Sequence, residues 1–294
     1  MDRIQYYLLK SLYSLFTILP FGFVEKIANI FAFILQNFIG YRRRVIRENL
    51  KKVYGDNLPF DEKLLVKNIY RNFTYLWFEV LQTKKINIKN IDRHFTSHNL
   101  ELIEKTLAKE QGALLMTGHL GNFEWFSIYL GLKKVPFAAI AKRIKNRYID
   151  DFMHKNRERN GCTVIYTKSA MREGLKFLRS NKCVAIAGDQ DARKKGIFVD
   201  FLGQPSSTAV GPAIFQLRSG SHMLFMAAIR TSYAHFDIFF EEIKIPEGLK
   251  VSDESILEIT QLHTSALDKW IRKYPDQWFW MHKRWKSKPK EIEK

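Results

Sequence analysis

The sequence predicts an α/β fold, a mostly parallel central sheet covered by helices, with an apolar helical region at its N-terminus. Three observations predict it. Short apolar runs alternate with amphipathic stretches through the middle of the chain, the pattern of successive strand–helix units. The 294 residues are 46% hydrophobic, enough for one large core, and no internal repeat or long low-complexity linker divides them. The first forty residues are apolar but lack that alternation.

The elements follow in order. Ile4 to Pro20 and Phe21 to Gly40 are rich in Leu, Ile, Phe and Tyr, with Pro20 dividing them and Lys10 and Lys26 interrupting them. No uninterrupted run of about 20 apolar residues exists, and the start lacks a basic n-region with a small-residue cleavage site. Three dispositions stay open: a span over Phe21–Ile39, an interfacial helical hairpin, or a helix packed on the domain. In either membrane case Tyr41, Arg42, Arg43 and Arg44 meet anionic headgroups and the basic side stays cytoplasmic. Arg44 to Val53 and Phe60 to Gln82 read as helices, the second with Leu65, Ile69, Phe73, Leu76 and Phe78 on one face and Asp61 near its positive end. Leu100 to Glu110 reads as a short helix and Gly112 to Thr117 as a buried strand. Val135 to Ala141, Cys162 to Tyr166 and Cys183 to Ala187 read as further strands. The helices between them run from Arg147 to Asn160, ended by Gly161, and from Ala170 to Arg179. Residues 208–218 read as helix after a Ser206, Ser207, Thr208 cap. Strands over Leu224 to Ile229 and Phe236 to Phe240 follow, the second antiparallel, and then a long helix over Asp253 to Lys273. The resulting division is an N-terminal membrane-associated helical region over 1–44, an α/β domain over 45–285 and a basic tail over 286–294.

Charge and cysteine content narrow the function. A net charge of +18 suits an anionic lipid, an acidic protein or a nucleic acid. No zinc-finger spacing or RNA-recognition pattern supports the last, so no nucleic-acid partner is expected. Cys162 and Cys183 lie in apolar surroundings and read as core residues without a disulfide framework, which fits a reducing cytoplasmic side.

The chemistry is concentrated in Leu114 to Trp125, LLMTGHLGNFEW. An apolar strand stops at Thr117 and Gly118, His119 follows, and an amphipathic helix opens near Gly121 or Asn122 with Glu124 in its first turn. Gly118 and Gly121 permit a tight turn close to a ligand. A neutral imidazole at such a turn can take a proton from a hydroxyl, and a nearby carboxylate can orient it and stabilise the imidazolium. A lone His beside a Gly turn is otherwise a hydrogen-bonded structural residue. No second His stands at zinc-binding spacing on this helix, so no metal is expected, and no GxSxG elbow occurs.

Three blocks resemble the lipid A biosynthesis late acyltransferases, a branch of the lysophospholipid acyltransferase superfamily. His119-Leu-Gly-Asn-Phe-Glu124 matches the superfamily's His, four residues, Asp or Glu. Gly188-Asp189-Gln190-Asp191, followed by Gly196-Ile-Phe-Val-Asp-Phe-Leu-Gly203 and Thr208, resembles the family's second signature. Gln277-Trp-Phe-Trp-Met-His282-Lys-Arg284-Trp285 resembles its C-terminal ending. The resemblance spans most of the chain. It implies a glycerolipid acyltransferase-like fold and direct transfer of a fatty acyl group to a hydroxyl of a membrane glycolipid, a lipid A precursor first. The donor it implies is an acyl carrier protein or coenzyme A thioester, with no other cofactor. It makes His119 the general base and Glu124 its partner, at the cytoplasmic face of the inner membrane.

Other residues join this expected site. Asp189 and Asp191 close a strand, where α/β folds place binding residues, and the resemblance makes Asp191 the stronger candidate. The family usually carries an arginine after the next strand, and Lys142 and Arg143 both fit that position; either can hold a phosphate. Arg193 lies just beyond Asp191 and suits a phosphorylated sugar or the donor's phosphopantetheine. A helix opening near Thr208 would aim free N–H groups at an anion. Arg230 ends a strand as a weaker binding candidate, and His282 and Arg284 read as stabilising residues. Two other readings stay open: acyl transfer to another acceptor, a phosphatidylinositol mannoside-like glycolipid or a lysophospholipid, and a non-enzymatic membrane-binding scaffold.

Overall fold

The computed structural model describes residues 2–56 and 58–289, so the last five residues of the expected basic tail lie outside the described residues. The chain opens with helices α1 (Asp2–Ile18) and α2 (Phe21–Ile34), which a π-helical turn over Leu35–Ile39 extends; α3 (Arg43–Tyr54), α4 (Glu62–Leu81) and α5 (Ile91–His94) follow. Then come β1 (Phe95–His98), α6 (Glu101–Leu107), β2 (Ala113–Thr117), α7 (Phe123–Leu132), β3 (Phe137–Ala141), α8 (Arg147–Glu158), β4 (Thr163–Tyr166), α9 (Ala170–Arg179) and β5 (Cys183–Ala187). The last part comprises β6 (Gly196–Phe201), β7 (Gln204–Ala209), α10 (Gly211–Ser219), β8 (His222–Ser232), β9 (His235–Ile243) and α11 (Asp253–Lys273).

Seven strands form one sheet in the order β1-β9-β8-β2-β5-β3-β4. Every neighbouring pair is parallel except the β8–β9 hairpin, as the reading of the second late strand required. Strand β2 sits at the centre and buries both faces, because successive side chains point opposite ways. Ala113 and Leu115 pack with Trp125 and Phe126 on one face. Leu114 and Met116 pack with Phe215, Ile259 and Leu267 on the other.

Two expectations fail locally. Ser206, Ser207 and Thr208 do not cap a helix: they lie in β7, which pairs antiparallel with β6, and α10 begins only at Gly211. Alternation of burial along a short polar hairpin is weak in a sequence whose serines and threonine also suit helix caps. Strand β1, four residues long, was not expected at all; it pairs with the distant β9.

The N-terminal helices pack on one face and stay open on the other. Val24, Ala28 and Ala32 recur every four residues and form a buried stripe on α2. Opposite them Phe23, Ile30, Phe31, Phe33, Phe38 and Ile39 are exposed, Phe38 to 76%. Continued by its π turn, α2 forms a 19-residue helix apolar enough to cross a membrane.

Candidate active site

Strands β2 and β5 are parallel neighbours whose last paired residues are Thr117 and Ala187. His119 and Asp189 each lie two residues further on, so register alone brings them face to face. The Asp189 carboxylate Oδ1 accepts from the His119 ring Nδ1 at 2.7 Å, and its Oδ2 accepts from the His119 backbone N–H at 2.9 Å and from Trp278 Nε1–H at 2.9 Å. An ionised carboxylate only accepts, so Nδ1 carries the proton and the Nε2 lone pair is left for chemistry. Gln190 Nε2–H donates to that nitrogen at 3.3 Å, a contact that an incoming hydroxyl would replace. The Asp189 side chain is 2% exposed and that of His119 21%.

The turn holding His119 is fixed by close packing. Gly121 has φ of +59°, and a Cβ there would lie 1.7 Å from the Ala228 carbonyl oxygen. A Cβ on Gly118 would lie 2.7 Å from the Leu267 side chain. Gly118 therefore lets the turn approach α11 closely. Phe279 N–H donates to the His119 carbonyl at 3.1 Å, and Gly121 N–H to that of Gln277 at 3.0 Å. Asn122 is fully buried: its Oδ1 accepts from Glu124 N–H and Trp125 N–H at 3.2 and 3.0 Å, capping α7, and its Nδ2 donates to Glu79 at 2.7 Å. Asn122 is thus the helix start the sequence suggested, and its side chain is engaged within the protein.

The expected direct pairing of His119 with Glu124 is not the one that forms. Glu124 lies in the first turn of α7 and takes a two-bond clamp from Arg157 on α8, Nε to Oε2 at 2.9 Å and Nη2 to Oε1 at 2.5 Å. The imidazole is committed to Asp189 instead, because parallel register delivers that carboxylate to its Nδ1. Glu124 acts on the ring through space. Burial alone would lower the basicity of His119, but Asp189 and, more weakly, Glu124 raise its pKa above the ordinary value. Burial likewise opposes the Asp189 charge, yet the His119 ring and backbone and Trp278 hold that carboxyl well below its usual range.

The remaining expected residues divide. Asp191 stands beside the site without touching His119: its carboxylate accepts from Arg193 N–H at 3.1 Å and from Ser287 Oγ–H at 3.1 Å, and its N–H donates to His282 Nε2 at 3.1 Å. Between the two aspartates the ranking therefore reverses, and Asp189 is the one in contact. Lys142 is exposed, and Arg143 lies over the Tyr166 ring at 3.9 Å and reaches Asp150 at 3.3 Å. Arg193 is exposed on the loop before β6. Thr208 is buried, its Oγ1 accepting from Arg284 Nη2 at 2.5 Å. Arg284 is 1% exposed, and burial lowers its pKa to about 10 against the pull of Asp189 and Asp191. Arg230 is no surface binder: its side chain is 3% exposed and clamped on Glu79.

Sequence reasoning missed Arg157 and Glu79, and placed Trp278 in the C-terminal block without foreseeing its bond to Asp189. Glu79 left a signal, a carboxylate one turn beyond Tyr75 on a buried helical face. Arg157 and Trp278 left none by spacing, since each reaches the site from an element distant in the chain.

The sequence pattern of the family described as bacterial lipid A biosynthesis acyltransferase matches residues 2–287. The chain is 24% identical over 246 residues to a phosphatidylinositol mannoside acyltransferase of Mycobacterium tuberculosis (strain ATCC 25618 / H37Rv), covering 82% of this chain and 76% of that protein. It is 22% identical over 258 residues to the lipid A biosynthesis palmitoleoyltransferase of Escherichia coli (strain K12), covering 86% and 81%. Over 288 residues it is 22% identical to a lipid A biosynthesis acyltransferase of Haemophilus influenzae, covering 93% and 87%. With a family match over residues 2–287 and relatives that agree with it, this chain is an acyltransferase and belongs to the bacterial lipid A biosynthesis acyltransferase family.

Proposed function

We propose that this acyltransferase moves a fatty acyl group from a thioester of acyl carrier protein or coenzyme A to a hydroxyl of a membrane glycolipid. A lipid A precursor is the acceptor of first choice. The observation that carries the mechanism is the His119–Asp189 contact, which leaves Nε2 unprotonated at the end of the sheet. His119 takes the proton of the acceptor hydroxyl as its oxygen attacks the thioester carbonyl. The tetrahedral intermediate then expels the thiolate, which recovers that proton from the imidazolium. Asp189 holds the ring and its tautomer, and the Glu124 charge, itself fixed by Arg157, favours the imidazolium. Direct transfer is supported by the cysteines. Both thiols are buried, and desolvation raises each to about 12, so neither is a ready nucleophile.

The exposed aromatic and aliphatic face of α1 and α2, continued by Arg42, Arg43 and Arg44, supports a location on the cytoplasmic face of the inner membrane. The segment over 1–44 then serves attachment and 45–285 catalysis. The exposed Lys142 and Arg193, with Arg143, suit a phosphate on acceptor or donor. The second reading, a phosphatidylinositol mannoside-like acceptor, is favoured by the mycobacterial relatives. Purified protein offered acyl-carrier-protein and coenzyme A thioesters with each acceptor, read by mass spectrometry, decides among these. Acylation of neither glycolipid with either donor would reject the proposal.

A further inference from the structure

One buried charge pair is not used by the chemistry above and yet reaches the turn that carries it. Arg230, at the end of β8, donates from Nε to Glu79 Oε1 at 3.0 Å and from Nη2 to Oε2 at 2.7 Å. Its Nη1 donates to Asn72 Oδ1 at 2.6 Å, and its guanidinium lies over the Tyr75 and Phe236 rings. Glu79 is fully buried and also accepts from Ala234 N–H at 3.1 Å and from Asn122 Nδ2–H at 2.7 Å. The backbone of Arg230 is held as firmly. Its N–H donates to Gln277 Oε1 at 2.8 Å and its carbonyl accepts from Gln277 Nε2 at 2.9 Å, while the Gln277 carbonyl accepts from Gly121 N–H at 3.0 Å. Two arms therefore run from this pair to the turn between His119 and Glu124, one through Asn122 and one through Gln277.

We propose that the Glu79–Arg230 pair is a positioning device that sets the His119 turn through Asn122, acting on the rate of transfer and not on substrate binding. A buried charge pair has one low-energy geometry, and breaking it leaves an uncompensated charge in a dry interior, so it resists displacement more than an apolar contact does. The inference rests on His119 being the general base.

Asn122→Ser tests it with the least disturbance. Serine also caps a helix, so α7 keeps its start, but its short side chain cannot reach Glu79. The folded N122S protein is expected to lose about tenfold to a hundredfold in kcat at unchanged KM for both substrates, since small displacements of a reacting group carry losses of that order. The ring nitrogen signals of His119 in NMR should shift as its bond to Asp189 loosens. Glu79→Gln should lower kcat in the same way, and combining it with N122S should add less than the sum of the two, because both cut one linkage. If E79Q fails to fold, N122S decides alone. Wild-type kcat per folded N122S molecule, even with a lowered Tm, would overturn the proposal and leave the pair a purely structural element. H119A run alongside separates the two readings: an active H119A protein refutes the base, whereas an inactive H119A with a fully active N122S refutes only the positioning role.

Discussion

The sheet end around His119 and the outer face of α1 and α2 treat polarity in opposite ways. At the sheet end charged groups are taken out of water and matched: Asp189 with His119, Glu79 with Arg230, Glu124 with Arg157, their carboxylates between 0 and 10% exposed. On the N-terminal helices Phe23, Ile30, Phe33 and Phe38 face outward, and Arg42 and Arg44, which follow, are exposed. The first arrangement holds each charge against a partner and makes the charges interact strongly, because little water screens them. The second holds nothing in place and presents area, which suits a fluid, apolar, anionic surface. Each region should therefore fail in its own way.

The largest effect is expected at the base itself. His119→Ala should lower kcat by about 10² to 10⁴ with the fold retained, the usual range for a removed general base. Single-turnover transfer near the normal rate by folded H119A would remove His119 from the mechanism. Asp189→Asn should come next and carry a signature in pH. His119 must be neutral to accept a proton and its pKa is raised, so kcat/KM of the wild type should fall on acidification with a midpoint above the ordinary 6.5. Removing the Asp189 charge lowers that pKa, so the acid limb of D189N should move to lower pH while its plateau drops. An unmoved limb would mean that Asp189 does not act on His119.

The same pair links stability to pH. The depressed Asp189 contributes stability above its unfolded value near 3.8 and loses it as pH falls. The raised His119 contributes fully below its unfolded value near 6.5 and loses it as pH rises through the folded one.

A third effect contrasts buried with exposed pairs. Glu79→Leu leaves Arg230 uncompensated and should destabilise by about 3–5 kcal/mol in denaturant unfolding. Glu48→Ala, which cuts an exposed pair with Arg44, should leave the unfolding midpoint nearly unchanged, because water screens that pair. Equal losses would show that burial is not what separates them. The smallest effect on chemistry is expected from the outer face. Replacing Phe31, Phe33 and Phe38 with serine should weaken flotation with anionic vesicles and slow acylation of long-chain acceptors, while a short soluble acceptor reacts at the wild-type rate. Unchanged vesicle binding would assign that face another role.

The sequence by itself determined the local elements. Helix Ala170–Arg179, strand Cys183–Ala187 and helix Asp253–Lys273 have the limits read from hydrophobic period and turn residues, because those signals are written in neighbouring side chains. It also marked His119 and its glycine turn. Only the tertiary structure decided which carboxylate meets the imidazole. Glu124 is five residues away in sequence and Asp189 seventy, yet the parallel register of β2 with β5 places Asp189 on Nδ1, and α8 crosses to claim Glu124 with Arg157. It decided as well that Arg230 and Asn122 are internal struts and that Thr208 lies in a hairpin. Spacing along a chain fixes only what one helix or turn can bring together; contacts between strands and helices far apart in sequence depend on how the sheet is ordered and packed.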